Sequence, residues 1–315
     1  MRHSLKDERG HDGLPRNEDR DRLMTAMRLL TILYLAVASY GQAPPQSAAA
    51  TQVPTVEDFK KRIASFPPDE QVYELWRFWL TGQPPDVQRL FDKDDTKPKG
   101  FELYRKQLQS EGDPAPEVER KIRIIDKDGE RWEIERWNRV LTSNSPRINW
   151  QPNRFLVSMA QGRRPGRALD VGMGQGRNAL WLAHQGWETT GYDPAEKAVA
   201  LARETAAKVG VKVTTVVAKD SDFDMGLAKW DLILLSYVEV RDNAEKVIRA
   251  LAPGGIVVVE YFHADFQGAP GGFSDNELLQ LFGKLRVVHY EDTEDVADFG
   301  MEKTRLVRLC AEKRR

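Results

Sequence analysis

The sequence predicts an α/β protein, a doubly wound, seven-stranded, mostly parallel sheet with an N-terminal helical cap. Three observations carry this expectation. After Pro152, short runs of Val, Ile and Leu alternate with stretches of helical periodicity; the first such run ends in a glycine-rich turn that opens directly into a helix; and the segment from Thr55 to Thr142 is patterned as helix throughout. Runs that are apolar on both faces are what a parallel sheet covered by helices requires.

Composition narrows the function classes. With 315 residues and 41% hydrophobic content, the chain can bury a full core. Its 47 Lys plus Arg against 48 Asp plus Glu produce no global field that would collect nucleic acid or anionic lipid, so a small-molecule partner is favoured over either. Cys310 is the only cysteine, which excludes an internal disulfide framework and a cysteine-based metal cluster. The five histidines lack HExxH or paired spacing, so no metal is expected.

Three segments follow from the patterning. Residues 1–54 read as a disordered or signal-like segment and linker. Read from Met24 or Met27 rather than Met1, a basic start, the apolar run Leu29 to Ala38 and small residues up to Ala43 have the form of a signal peptide, too short for a stable membrane span. Export or a membrane tether would follow from that form. Residues 44–53, rich in Pro, Ala, Gln and Ser, suit a linker. Residues 55–150 form the helical cap region, with breaks expected at Gly82-Gln-Pro-Pro85 and Lys97-Pro-Lys-Gly100. Asp126-Lys-Asp-Gly129 interrupts the helical stretch 116–141 and could alternatively turn a hairpin. Trp76, Trp79, Trp132 and Trp137 stand at helical spacing and are expected in the cap core, and Asp92, Asp94 and Asp95 in a solvated loop.

Residues 151–315 make the α/β domain. Strands are expected at 168–171, 188–192, 211–217, 231–236, 256–261, 285–290 and 304–311, with helices starting near Asn178, Ala195 and Asn243. Ser274-Asp-Asn-Glu277 has the form of a capping box ahead of the helix 278–282.

The chemistry centres on Asp170-Val-Gly-Met-Gly-Gln-Gly-Arg177. Glycines at 172, 174 and 176 allow a turn too sharp for other residues and leave room for a ligand against the backbone, where the free N–H groups of a helix start meet it. A dinucleotide fingerprint would place its third glycine at Arg177. Here it comes one residue earlier, with an acid, Asp170, two positions before the first. The pattern resembles motif I of class I S-adenosylmethionine-dependent methyltransferases, and Gly176-Arg-Asn-Ala-Leu-Trp-Leu-Ala-His-Gln-Gly186 is similar to their small-molecule branch, which includes tellurite-resistance and thiopurine methyltransferases.

Further signposts agree in order: Gly191-Tyr-Asp-Pro194, Ala218-Lys-Asp-Ser-Asp-Phe223, Trp230-Asp-Leu and Leu251-Ala-Pro-Gly-Gly255. The resemblance covers the α/β domain only. It implies a Rossmann-like methyltransferase fold and S-adenosylmethionine as cofactor, bound by Asp170, Gly172, Gly174, Gly176, Asp193, Asp220, Ser221 and Ser236. The supply of that cofactor favours a cytoplasmic location, against the export that the signal-like segment 24–43 suggests. Asp193 is expected on the ribose hydroxyls, Asp220 on the adenine amino group, with Asp222 as competitor. The expected reaction is methyl transfer to a small-molecule nucleophile by in-line displacement, which needs no obligatory base. Arg177 and Tyr237 are the catalytic candidates, and Asn149, Trp150, Asn153, Tyr261 and His263 the substrate candidates. Two alternatives stand beside it: a non-catalytic S-adenosylmethionine-binding protein, and a protein or nucleic-acid methyltransferase. The latter is disfavoured because Ser236-Tyr-Val-Glu239 replaces the Asn/Asp-Pro-Pro-Tyr/Phe signature.

Overall fold

The computed structural model describes residues 55–145, 149–266 and 271–315. The signal-like segment lies outside them. The described residues belong to one compact unit, and no helix among them is long and apolar enough to cross a membrane.

The cap is built from α1 (Val56–Ile63), α2 (Pro68–Thr81), a short α3 (Pro85–Gln88), α4 (Lys97–Ser110) and α5 (Ala115–Leu141). Proline opens α2 and α3 at their first position, where its missing N–H costs nothing, and Lys97-Pro98 likewise starts α4. The Lys97–Gly100 break is thus a helix beginning. No hairpin forms at Asp126–Gly129, because α5 continues straight through it. Buried positions Val118, Ile122, Ile125, Gly129 and Trp132 keep one unbroken stripe at three- and four-residue steps, so the interrupting charges simply face solvent. At Gly129 a Cβ would lie 3.4 Å from the Tyr73 ring, so the glycine lets α5 approach α2 closely. At 27 residues α5 is about 40 Å long at 1.5 Å per residue, enough to cross the α/β domain.

Tyr73, Phe101, Tyr104, Leu108, Ile122 and Trp132 form the cap core, with Trp76 and Trp79 packed against it. Trp137 departs from the expectation. Its ring sits 5.8 Å from Phe299 of the α/β domain, so it belongs to the seam between cap and sheet.

After α6 (Arg154–Ala160) the domain runs β1 (Arg167–Val171), α7 (Arg177–His184), β2 (Glu188–Asp193), α8 (Glu196–Val209), β3 (Val213–Val217), β4 (Trp230–Ser236), α9 (Ala244–Ala250), β5 (Leu251–Phe262), α10 (Glu277–Leu281), β6 (Arg286–Val296) and β7 (Lys303–Glu312). The seven strands lie in the order β3-β2-β1-β4-β5-β7-β6, with β1 to β5 parallel and β7 antiparallel to both its neighbours. Winding reverses between β1 and β4, the switch point where α/β sheets place their ligands. The alternating side chains feed two cores. Leu169, Val171, Ile233, Leu235, Val257 and Val259 enter one; Ala168, Leu232, Leu234, Ile256, Val258 and Cys310 enter the other with Trp181 and Leu182 of α7.

Strand β6 is longer than expected, since β7 pairs with it along its whole length, and β5 begins early because Leu251 pairs with Trp230 of β4 ahead of a register shift. The capping box at Ser274 forms only in part. Glu277 accepts from the Ser274 N–H at 2.8 Å, but Asn276 caps the helix in a left-handed conformation and the Ser274 hydroxyl accepts from Arg89.

A buried polar cluster pins the carboxyl side of the sheet. Glu260, wholly enclosed in β5, accepts from Arg308 of β7, from Asn153 at the start of α6 and from the Tyr237 hydroxyl after β4. Arg308→Met would leave Glu260, with Asp298 beside it, as uncompensated buried charge. The expected loss is about 3–5 kcal/mol of unfolding free energy, read from the urea midpoint.

Candidate functional site

The glycine loop joins β1 to α7 at the switch point. Gly174 and Gly176 have φ of +54° and +82°, a left-handed region that costs other residues roughly 1–2 kcal/mol. The atoms that would oppose a side chain here belong to the protein. A Cβ at Gly176 would lie 2.8 Å from Ala202 Cβ of α8, and one at Gly172 would lie 2.5 Å from Val238 Cγ2. At Gly174 the neighbour is Leu141 Cδ2, 3.1 Å away at the end of α5. Ligand approach is therefore one reason for glycine among several: Gly176 serves helix packing, and Gly174 faces the flexible tip of a cap residue.

Asp193 ends β2 and couples the loop to the next helix. Its Oδ2 accepts from the Gly174 N–H at 2.9 Å and its Oδ1 from the Ala195 N–H at 2.7 Å. Each oxygen keeps a second acceptor site, as ribose binding requires. Burial raises its pKa above the ordinary carboxylate range, against the pull of those two N–H donors.

Three enclosed polar atoms around this loop have no hydrogen-bond partner: Asp170 Oδ2 at the end of β1, Ser236 Oγ at the end of β4, and Gln151 Oε1 in the segment before α6. Leaving a buried polar group unmet costs about 1–3 kcal/mol. Burial drives the Asp170 carboxyl up to about 7, offset by the Arg177 cation and by a backbone hydrogen bond with Ala179. Arg177, first in α7, spends Nη1 on the Gln151 carbonyl at 2.9 Å. Beyond β3, Asp220 is half-buried and accepts from Asn243 Nδ2 at 3.4 Å. Ser221 and Asp222 are exposed and bonded to each other at 2.8 Å. Asp220 is thus the better placed of the two competing acids.

The substrate candidates separate. Tyr237 and Tyr261 lie together, 6.3 Å between rings, at the ends of β4 and β5. The Tyr237 hydroxyl is engaged twice, donating to Glu260 at 2.6 Å and accepting from the Asp298 N–H at 2.9 Å. Burial and Glu260 push its pKa well up, so it does not ionise as a base. Asn153 is fully buried as the cap of α6; its Nδ2 donates to Glu260 and Asp298 and its Oδ1 accepts from the Leu156 N–H, a structural hub rather than a substrate contact. Asn149 Oδ1 accepts from the Gln151 N–H, closing a turn, and Trp150 is exposed.

His263 is buried and bonded within the protein. Its Nδ1 accepts from the Asp265 N–H at 3.1 Å and its Nε2 faces Asp275 at 3.0 Å. His263, Asp275 and Asp292 converge closely enough to suggest metal ligands. Arg305 fills that role as the cation, donating to Asp275 at 2.8 Å and bidentately to Asp292 at 2.6 and 2.7 Å.

Pattern reading missed Gln151, Glu260, Asp298 and the cap residues Glu133 and Arg136. Gln151 stands between two named candidates, and Glu133, Arg136 and Trp137 share one face of α5 at steps of three and four, a weak signal in a helix rich in charge.

The strand order, the antiparallel seventh strand, the glycine loop and the acids at the ends of β1 and β2 agree with the fold that the resemblance to class I S-adenosylmethionine-dependent methyltransferases implies. Residues 168–255 match the family described as methyltransferase domain.

Among known proteins, the chain is 33% identical over 147 residues to a 2-heptyl-1-hydroxyquinolin-4(1H)-one methyltransferase of Mycobacteroides abscessus, covering 42% of this chain and 64% of that protein. It is 31% identical over 153 residues to the probable S-adenosyl-L-methionine-dependent methyltransferase TehB of Haemophilus influenzae, covering 44% and 52%. The chain thus spans between about half and two thirds of the length of these relatives. The crystal structure of Haemophilus influenzae TehB aligns with a TM-score of 0.43 at 20% identity, over 50% of this chain and 61% of that one.

The cofactor fits the residues present. Its ammonium suits the unmatched Asp170 oxygen, its ribose the free acceptor sites of Asp193, and its adenine amino group Asp220. Gly174→Val is expected to abolish S-adenosylhomocysteine binding in calorimetry with only a modest fall in Tm, set by its φ of +54°, because Leu141 can yield. Gly176→Val, clashing with Ala202, should lower Tm as well. Asp193→Ala should weaken binding by about 1–3 kcal/mol and also lower Tm, since it frees the glycine loop, whereas Asp220→Ala should cost affinity alone.

Proposed function

We propose that the chain is a methyltransferase that moves a methyl group from S-adenosylmethionine to a small-molecule nucleophile by in-line displacement. The observation that carries this reading is the set of unmatched polar atoms of Asp170, Ser236 and Gln151 around a glycine loop that Asp193 holds in place. When bound, the cofactor supplies an electrophile already activated by its sulfonium charge. The protein's own part is to bind, orient and exclude water. Asp170 and Asp193 hold the ligand's polar ends, and the end of α5 covers the loop through Leu141. Tyr237 acts as a positioning residue, its ring fixed by Glu260 and Asp298.

Arg177 is the remaining catalytic candidate, a cation beside the loop that can orient an anionic group. With Tyr237 and His263 committed to other bonds, the acceptor is expected to bring its own ionisable proton. The relative named for a hydroxyquinolinone supports a small aromatic acceptor of that kind.

Incubation with methyl-labelled cofactor and a panel of small aromatic acids, phenols and thiols tests the reading. Labelled product supports it, and failure to bind S-adenosylhomocysteine would sink it.

The pH dependence has a definite sign. The free protein holds Asp170 protonated below about 7, while a bound ammonium favours the carboxylate, so binding expels a proton. Affinity for S-adenosylhomocysteine should therefore rise from about pH 6 to about pH 8, by as much as tenfold per unit at the acid end. Asp170→Asn should flatten that profile, as calorimetry in two buffers would show.

A further inference from the structure

The cap carries a charge arrangement that the cofactor site does not use. Arg77 of α2 and Arg136 of α5 share one close carboxylate, Glu133. Arg77 Nη1 donates to Glu133 Oε2 at 2.8 Å, while Arg136 Nη1 lies 3.7 Å from Oε1 and makes no hydrogen bond to it. The Glu133 oxygens are already taken, since the Tyr73 hydroxyl donates to Oε2 at 2.6 Å and the Trp137 indole N–H to Oε1 at 2.8 Å. Arg136 Nη1 is consequently enclosed without a partner. Glu74 attracts Arg136 through space, but its Oε1 accepts from Arg139, as Glu70 does, so neither gives Arg136 Nη1 a hydrogen bond. Burial and the Arg77 charge hold the Arg136 guanidinium below its ordinary range, against the pull of Glu133 and Glu74.

The position of this cation suggests its use. The Arg136 guanidinium stacks 4.8 Å over the Trp137 ring. Trp137 meets Phe299 at 5.8 Å, and Phe299 meets Tyr237 at 5.7 Å, at the end of β4 beside the glycine loop. A wall of aromatic rings thus runs from a half-buried guanidinium to the edge of the cofactor loop. Rings of this kind favour a flat aromatic partner in offset or edge contact. An enclosed guanidinium with a free N–H favours a carboxylate or other oxyanion, through charge-assisted hydrogen bonds stronger than neutral ones. A neutral ligand would give that donor a weaker acceptor, which selects against it.

We infer that Arg136, assisted by Arg77, is a specificity-determining residue that reads the acidic group of a planar aromatic acceptor lying along Trp137, Phe299 and Tyr237. The word acceptor rests on the methyltransferase reading; the recognition of an aromatic anion does not.

The full chain, with and without saturating S-adenosylhomocysteine, is titrated with 2-naphthoate, 2-naphthamide and acetate, followed by tryptophan fluorescence and calorimetry. The acid should bind at least about tenfold more tightly than the amide of the same shape, and acetate should not bind. Arg136→Gln should bind acid and amide alike, and Arg136→Lys should recover part of the preference. S-adenosylhomocysteine affinity in Arg136→Gln should stay within about twofold, because Arg136 stands outside the cofactor loop.

Equal binding of acid and amide by the unaltered chain, no binding of 2-naphthoate, or an undiminished preference in Arg136→Gln would each overturn the inference. Should Arg136→Gln lower Tm, the acid-to-amide comparison in the unaltered chain decides by itself. Loss of S-adenosylhomocysteine binding together with an intact acid preference would remove the methyltransferase reading and leave the anion subsite standing.

Discussion

The carboxylate of Glu260 is the constraint on which the carboxyl edge of the sheet depends. Buried in β5, it receives Arg308 from β7, Asn153 from the entry to α6 and the Tyr237 hydroxyl from the end of β4. Burial and Asp298 push its pKa up, while Arg308 pulls the other way. Such a pair stabilises little by itself, since desolvation offsets most of the Coulomb attraction. Its value is geometric: removing Arg308 strands a charge and removing Asn153 or Tyr237 leaves an acceptor unmet, so strand, helix start and loop are held in the arrangement that satisfies them all. Tyr237 shows the force of this constraint, held at φ +58°, a conformation costing of order 1–3 kcal/mol. The residue thereby turns its ring toward Phe299 and Tyr261.

Asp193 plays the corresponding part on the other side of the switch point. It bonds the glycine loop and the start of α8 before any ligand arrives, so the loop is organised in advance. Preorganisation lowers the ordering cost of binding. Its place at the start of the helix and the ribose contact we propose for it draw on different lone pairs and are compatible.

The cap converts this edge into an enclosed site. Helix α5 reaches across it, with Leu141 over Gly174, Asn138 accepting from the Lys197 N–H, and Trp137 on Phe299. The same helix brings Glu133 and Arg136, so the anion subsite we propose comes from a segment remote in sequence from the cofactor loop. That division agrees with a fold whose sheet binds a common cofactor while added elements select the partner.

Much of the α/β domain was legible in the chain. Periodicity located every strand, because buried β-branched runs have few other uses, and the glycine spacing with Asp170 and Asp193 marked the loop, because backbone chemistry there depends on local residues alone. The cap was less legible. Asp126–Gly129 reads locally as a turn, yet the stripe from Val118 to Trp132 carries the helix through, since tertiary burial outweighs a few unfavourable propensities.

What only the tertiary structure decided is where polar groups find partners. Asn153, Tyr237 and His263 look like free chemistry in sequence, and each is consumed by a residue between two and 145 positions away. Arg136 looks like one more surface charge in a charged helix, yet it is half-buried and its Nη1 is enclosed without a hydrogen-bond partner. Spacing along the chain governs local backbone geometry, whereas satisfaction of a buried donor or acceptor is a property of the whole fold.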